Sequence, residues 1–173
     1  MRACIASRSP ALPPVVRVLK TLLNAAGLNV PFSGGISSHS LFLMVCAAHD
    51  MYFSCGPGAQ QPAVPLTEGR LLLFFLELYS QHFNSAVHGI AVKSQPSLPF
   101  SFFDLTGQHL ATLGTSPWIS DPFDETRNVS RASFQIHRVQ LFFTETLCAL
   151  NKIAHGGREQ NADLWRILSF LLI

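Results

Sequence analysis

Three groups of polar residues interrupt an otherwise apolar sequence, and each could meet a phosphate or a base. The first is Lys20, set among Val15, Val16, Val18, Leu19, Leu22 and Leu23. Its ammonium could pair with a phosphate, or its methylene stem could follow the apolar face while the charge snorkels to water. The second is the run Gly34-Gly35-Ile36-Ser37-Ser38-His39. Glycines ahead of a serine-capped helix allow close backbone approach and leave N–H groups free. The partial positive charge of the helix terminus then suits an anion. A plain N-cap at Ser37 or Ser38 explains the same residues. His39 adds a ring that could stack on a base or simply face solvent. The third group lies in segment 118–131 and contains Asp121, Asp124, Arg127, Asn128 and Arg131. Asp, Asn and Arg offer the donor and acceptor patterns that match base edges. Such density in one loop is more typical of a site than of a connector. An Asp/Asn turn with surface ion pairs is the plainer alternative.

Other chemistries lack their residues. The seven histidines show no HExxH spacing, and Cys4, Cys46, Cys55 and Cys148 form no CxxC pair, which argues against a zinc site or a disulfide framework. GxSxG, GxxxxGK[ST] and GxGxxG are absent, as is any Asp-x-Asp or Glu-x-Asp pair. Two-metal phosphoryl transfer needs clustered carboxylates, so the sequence carries no catalytic residues for it and no metal site.

The elements that must position these groups read as mostly helical. Residues 1–13 are irregular. Pro13-Pro14 opens a helix that carries Lys20 and stops at Gly27. Residues 28–35 form a loop, and a second helix runs from Ser37 or Ser38 to about His49. Residues 56–65 form a Gly/Pro/Gln loop. Thr67 caps a third helix whose Leu71–Phe75 run continues through Leu78, Tyr79 and Phe83 into the core. Gly89-Ile90-Ala91-Val92 and Phe100–Phe103 suggest a small β-hairpin. Ser133 can cap a long helix reaching Leu150 and ended by Gly156-Gly157, and residues 162–173 form a short apolar helix. The expected fold class is mainly α with a small β-hairpin.

Taken in order, Pro14-Val15-Val16-Arg17-Val18-Leu19-Lys20, Gly34-Gly35-Ile36-Ser37-Ser38-His39-Ser40-Leu41 and Leu43-Met44-Val45 resemble the central domain of the Trf-type template-independent poly(A) polymerases. Leu72-Leu73, Phe74-Phe75, Leu78-Tyr79, Phe83-Asn84 and Gly89-Ile90 resemble the PAP-associated region of that family and of the related terminal uridylyltransferases. Asp121-Pro122, Asn128 and Arg131 resemble its nucleotide-recognition loop. The resemblance covers about residues 14–152, and it assigns residues 14–173 to this domain and 118–131 to its loop. It implies an RNA 3′-end nucleotidyltransferase fragment that binds ATP or UTP through Lys20, Ser37, Ser38, His39, Asp121, Asp124, Arg127, Asn128 and Arg131. Mg²⁺ or Mn²⁺ would enter only through a catalytic head that is missing here, so the chain by itself should be inactive. Uridylyltransferases of the family often carry histidine where Arg127 stands and adenylyltransferases asparagine, so the arginine leaves the base open. His39 stands where the family usually has tyrosine.

The implied partners are an RNA 3′ end, the chain's own catalytic head and a zinc-knuckle RNA-binding protein, in a nuclear setting and with no membrane. The basic, acid-free first twenty residues keep a mitochondrial transit segment as an alternative. A catalytically inactive RNA-processing subunit that uses the domain as a protein-binding surface is the other functional reading. Only 13% of residues are charged, against about 25% in ordinary domains. A covered apolar face is therefore expected near residues 15–23 and 164–173.

Overall fold

The computed structural model describes residues 9–60, 65–91, 101–105 and 116–155. Helix α1 spans Leu12–Ala25 with proline in its first turn, where a missing N–H breaks no helical bond. Leu12, Val15, Leu19 and Leu23 recur at helical spacing and are buried. Gly27 takes a left-handed φ of 68°. Leu28 N then donates to Leu23 O at 2.8 Å and Gly27 N to Asn24 O at 3.0 Å, the pairing that closes a helix on a left-handed glycine.

Helix α2, Ser38–Ser54, is the central element, with Leu41, Leu43, Met44, Val45, Cys46, Ala47 and Ala48 all buried. It runs beyond the expected end at His49, and aromatic packing accounts for the extra turn. Tyr52 meets the ring edges of Phe53 at 5.3 Å and of Phe74 at 5.4 Å. A single helical turn, α3, Pro57–Gln60, occupies the start of the expected loop, and residues 61–64 lie outside the described residues.

Helix α4, Glu68–Glu77, is capped by Thr67 as expected. It widens into a π-turn over Leu78–His82, with Phe83 N donating to Leu78 O at 2.9 Å. Gln140 supports this irregular end: its Nε2 donates to Tyr79 O at 3.2 Å and to Phe83 O at 2.7 Å. Tyr79 is wholly buried and its hydroxyl donates to Met44 O at 2.9 Å.

Strand β1, His88–Ala91, pairs antiparallel with β2, Ser101–Asp104, placing Gly89 opposite Phe103 and Ile90 opposite Phe102. This is the expected hairpin; its connection lies outside the described residues. A third strand, β3, Trp118–Ile119, runs parallel to β1 on its other edge. Two residues are too short to show a period in sequence.

The long helix, α5, covers Ile136–His155 and buries Ile136, Val139, Phe143 and Leu147. It begins three residues after Ser133, whose N–H instead closes a turn on Ser130 O at 2.8 Å. The expected Gly156-Gly157 stop and the helix at 162–173 lie outside the described residues, as do residues 1–8. The architecture is mostly helical with a small sheet, as expected.

The apolar surface expected at 15–23 is present only in part, since Val16, Val18 and Leu22 are half-buried. Residues Arg17, Lys20 and Asn24 face solvent while Val15, Leu19 and Leu23 are buried. Exposed apolar side chains lie elsewhere: Phe32 at 98% and Val30 and Phe134 at 46%. Phe134 packs onto the turn that precedes α2, against Gly34.

Candidate functional site

The site is built from two segments, the N-terminus of α2 and the loop 118–131. The first begins at a 3-10 turn, Pro31–Ser33, closed by Gly34 at φ 84°. Gly34 N donates to Pro31 O at 2.9 Å, Gly35 N to Val30 O at 2.9 Å and Ile36 N to Leu28 O at 2.8 Å. The sequence suggested that these glycines leave N–H groups for an anion; the turn itself uses both. Their smallness serves packing instead. A methyl on Gly35 would overlap the Leu28 carbonyl, and one on Gly34 would lie 2.5 Å from the Phe134 ring.

Ser37 is the N-cap, and its hydroxyl accepts from Ser40 N at 2.9 Å. Ser38 and His39 follow in the first turn, and both are exposed. Their N–H groups precede the first intrahelical bond, made by Leu41 N to Ser37 O at 2.9 Å. The N–H groups this terminus could offer an anion are therefore those of Ser38 and His39.

The second segment is an ordered hairpin loop. Val129 N donates to Ile119 O and Asp121 N to Arg127 O, each at 2.9 Å, and Ser120 bridges Asn128. Asp121 Oδ1 accepts from Phe123 N at 2.9 Å. Asp124 Oδ1 accepts from Thr126 N at 3.0 Å and from its hydroxyl at 2.6 Å. These Thr126 donors, hydroxyl first, hold the Asp124 carboxyl below its ordinary range. Arg127 is loosely held: its Nη1 lies 3.8 Å from Asp121 Oδ2 and its side chain is 71% exposed. The Arg131 side chain is exposed, while its carbonyl accepts from Ser116 Oγ at 2.8 Å.

Asn128 behaves differently from its neighbours. Its Oδ1 accepts from Ile119 N at 3.1 Å and Ser130 N at 2.9 Å. Its Nδ2 donates to Pro117 O at 2.9 Å. The carboxamide brackets both arms of the loop, and buried Ser130 reinforces it with a 2.7 Å bond to Pro117 O.

One hydrogen bond joins the segments directly, and a second ties the turn before α2 to the residues just after the loop. Ser40 Oγ donates to Val129 O at 3.3 Å and Gln135 N to Gly34 O at 2.9 Å. The structure thus brings Ser37, Ser38 and His39 together with the loop carrying Asp121, Asp124, Arg127, Asn128 and Arg131. Lys20 stands exposed on α1, which packs against α2. No hydrogen bond or ion pair among the described residues ties it to the loop. Ser40, Ser130 and Gln135 were not singled out in the sequence. The only available signal was the Ser37-x-x-Ser40 spacing, which suits a cap and its first turn.

Among the described residues no group of three His, Cys, Asp or Glu side chains could hold a metal. Asp121 and Asp124 each commit an oxygen to a backbone turn, so the donor set does not fit a two-metal centre. No described helix is long and apolar enough to cross a membrane.

No family model matches the chain. By sequence it is similar to the poly(A) RNA polymerase cid14 of Schizosaccharomyces pombe, 31% identical over 94% of this chain and 24% of that protein. It is also similar to poly(A) RNA polymerase protein 2 of Saccharomyces cerevisiae, 30% identical over 78% of this chain and 23% of that protein. A third relative is the inactive non-canonical poly(A) RNA polymerase protein Trf4-2 of Drosophila melanogaster, 29% identical over 83% of this chain and 35% of that protein. The fold is that of the polymerase core of TRAMP, a RNA surveillance complex, with a TM-score of 0.73 at 21% identity over 97% of this chain and 47% of that one. The Cid1 poly(U) polymerase, solved with MgGTP, matches with a TM-score of 0.65 at 18% identity over 96% of this chain and 56% of that one. The chain thus spans about a quarter to a third of these curated relatives.

Proposed function

We propose that this chain, a homologue of the Cid14-type poly(A) RNA polymerases over the part it shares with them, is the nucleotide-recognition part of an RNA 3′-end nucleotidyltransferase. The observation that supports this best is the joining of the α2 N-terminus to loop 118–131 through Ser40 and Val129. It sets an anion-compatible helix end beside a loop of exposed donors and acceptors. In this reading Ser38 and His39, with the Ser37 cap behind them, receive the triphosphate of ATP or UTP. Lys20 supplies a charge from α1, and the His39 ring lies against the base. Asp124, Arg127 and Arg131 face the base and ribose. Asp121 steers Arg127, and Asn128 shapes the loop. The chemistry of transfer, with its two metal ions, would belong to a catalytic head that carries the clustered carboxylates. Its substrate would be an RNA 3′ end, its setting nuclear RNA surveillance, and its companion a zinc-knuckle RNA-binding protein.

Calorimetry with MgATP and MgUTP tests the site. Saturable binding is expected, lost on combined substitution of Ser38, Arg127 and Arg131 by alanine. The chain alone should add no labelled nucleotide to an RNA primer with Mg²⁺ or Mn²⁺. Absence of binding at millimolar nucleotide would overturn the reading, and incorporation by the pure chain would overturn the division of labour.

A second reading has a specific observation behind it. One relative matching most of this chain is named an inactive polymerase. In that reading the domain serves as a docking surface in an RNA-processing assembly, and it predicts a stable fold that binds no nucleotide.

A further inference from the structure

Ser40 is fully buried and sits at the centre of a directed hydrogen-bond chain. Its N–H donates to Ser37 Oγ at 2.9 Å, the Ser37 hydroxyl donates to Ser40 Oγ at 2.8 Å, and the Ser40 hydroxyl donates to Val129 O at 3.3 Å. Each hydroxyl proton is used once. The chain starts at the cap of the helix end that carries Ser38 and His39. It finishes one residue from Asn128, whose carboxamide holds both arms of the loop. We propose that Ser40 is a positioning residue that couples the two halves of the nucleotide site, so that a ligand spanning helix end and loop binds as to one rigid surface. This rests on the nucleotide-site reading above and adds to it a residue that touches no ligand.

The physical reason is preorganisation. A ligand held first by its phosphates meets the loop intramolecularly, at an effective concentration set by how firmly the loop is tethered. A loop free to drift from α2 lowers that concentration, and ordering it again on binding costs affinity. A ligand that touches only the helix end does not sense the tether. Ser40 therefore matters for a nucleoside triphosphate and not for the bare triphosphate.

The test compares MgATP, MgUTP and magnesium tripolyphosphate binding to the wild-type chain, Ser40→Ala and Ser40→Cys, with thermal unfolding followed by circular dichroism. Ser40→Ala should weaken the better-bound nucleotide about tenfold, within the range of ordinary coupling between sites. Tripolyphosphate affinity should change less than about twofold. Ser40→Cys, a weak donor of similar size, should fall between. Unchanged tripolyphosphate binding also shows that the helix end is still folded. Equal weakening of both ligands marks a general structural defect and overturns the proposal, as does unchanged nucleotide binding. If the wild type binds no nucleotide at all, the nucleotide-site reading itself fails and this coupling goes with it.

Discussion

Replacing Gly35 by alanine separates packing from phosphate binding as the reason for the Gly34-Gly35 pair. The new methyl would overlap the Leu28 carbonyl oxygen and lie 2.6 Å from Leu28 C and 2.9 Å from Val30 N. All are backbone atoms of the same turn, so relief requires the chain to move. That movement breaks the 2.8 Å bond from Ile36 N to Leu28 O and the 2.9 Å bond from Gly35 N to Val30 O. Each such bond is worth about 1 kcal/mol net, and overpacking adds about 1–3 kcal/mol. The expected loss is about 4 kcal/mol, or roughly 8–16 °C in Tm for a domain of this size. Gly34→Ala should cost less. Its φ of 84° is strained for alanine, by about 1–2 kcal/mol, but the obstructing Phe134 ring is half-exposed and can swing away. Urea unfolding of the two variants, alongside tripolyphosphate titration, decides the matter. If Gly35→Ala stays within about 0.5 kcal/mol of wild type yet loses anion binding, the glycine serves the ligand and the packing argument is refuted.

Three further outcomes follow from single groups. In an NMR titration the Asp124 carboxyl should protonate below its ordinary value of 3.8, and Thr126→Val should bring the midpoint back up. Because the folded value is the depressed one, the associated stability is present above the unfolded value and fades as pH falls through the folded one. Tyr79 should keep its proton well above its ordinary 10.0, chiefly through burial; the folded value is the raised one, so stability should fall as pH rises past about 10, where the unfolded chain ionises. Tyr79→Phe should remove that alkaline loss while costing about 1 kcal/mol at neutral pH for the bond to Met44. Arg127→Ala should change stability by less than about 1 kcal/mol, since its guanidinium is exposed and its contact with Asp121 is long, 3.8 Å, but shift the ATP-to-UTP affinity ratio up to about tenfold. An unchanged ratio would remove Arg127 from base recognition.

Much of this architecture was legible in the sequence because strong local signals agree with the packing. Pro13-Pro14, the Val15–Leu23 spacing and Gly27 define one helix, although it starts at Leu12, inside the segment expected to be irregular; Thr67 caps another; Gly89 and Phe103 face each other in the hairpin. What was not legible depends on partners distant in the chain. Nothing local marks the π-turn at Leu78–His82, which Gln140 supports from α5. Strand β3 exists because β1 offers an edge to Trp118 and Ile119. The length of α2 is set by Tyr52 meeting Phe74. The apolar residues of α1 were read as a face for a missing neighbour, whereas Val15, Leu19 and Leu23 are already buried where α1 packs on α2 and α4.

The same distinction applies inside the site. Polar density in 118–131 suggested reading of a base, and the structure divides that density in two. Asn128 and Ser130 are occupied in holding Pro117, Ile119 and each other. Asp121 and the Oδ1 of Asp124 each form a backbone turn. Of the candidate residues, that leaves Arg127 and Arg131, with the second oxygen of Asp124, as the groups a ligand could engage without dismantling the loop. The two donor-only guanidiniums suit acceptors such as phosphate, ribose oxygens or a carbonyl-bearing base edge. A loop built this way spends more hydrogen bonds on its own shape than it can offer a nucleotide. In the proposed nucleotide site, selectivity would then rest on where the scaffold holds a few exposed side chains, and a substitution at Asn128 should weaken every nucleotide alike while one at Arg127 should change which nucleotide is preferred.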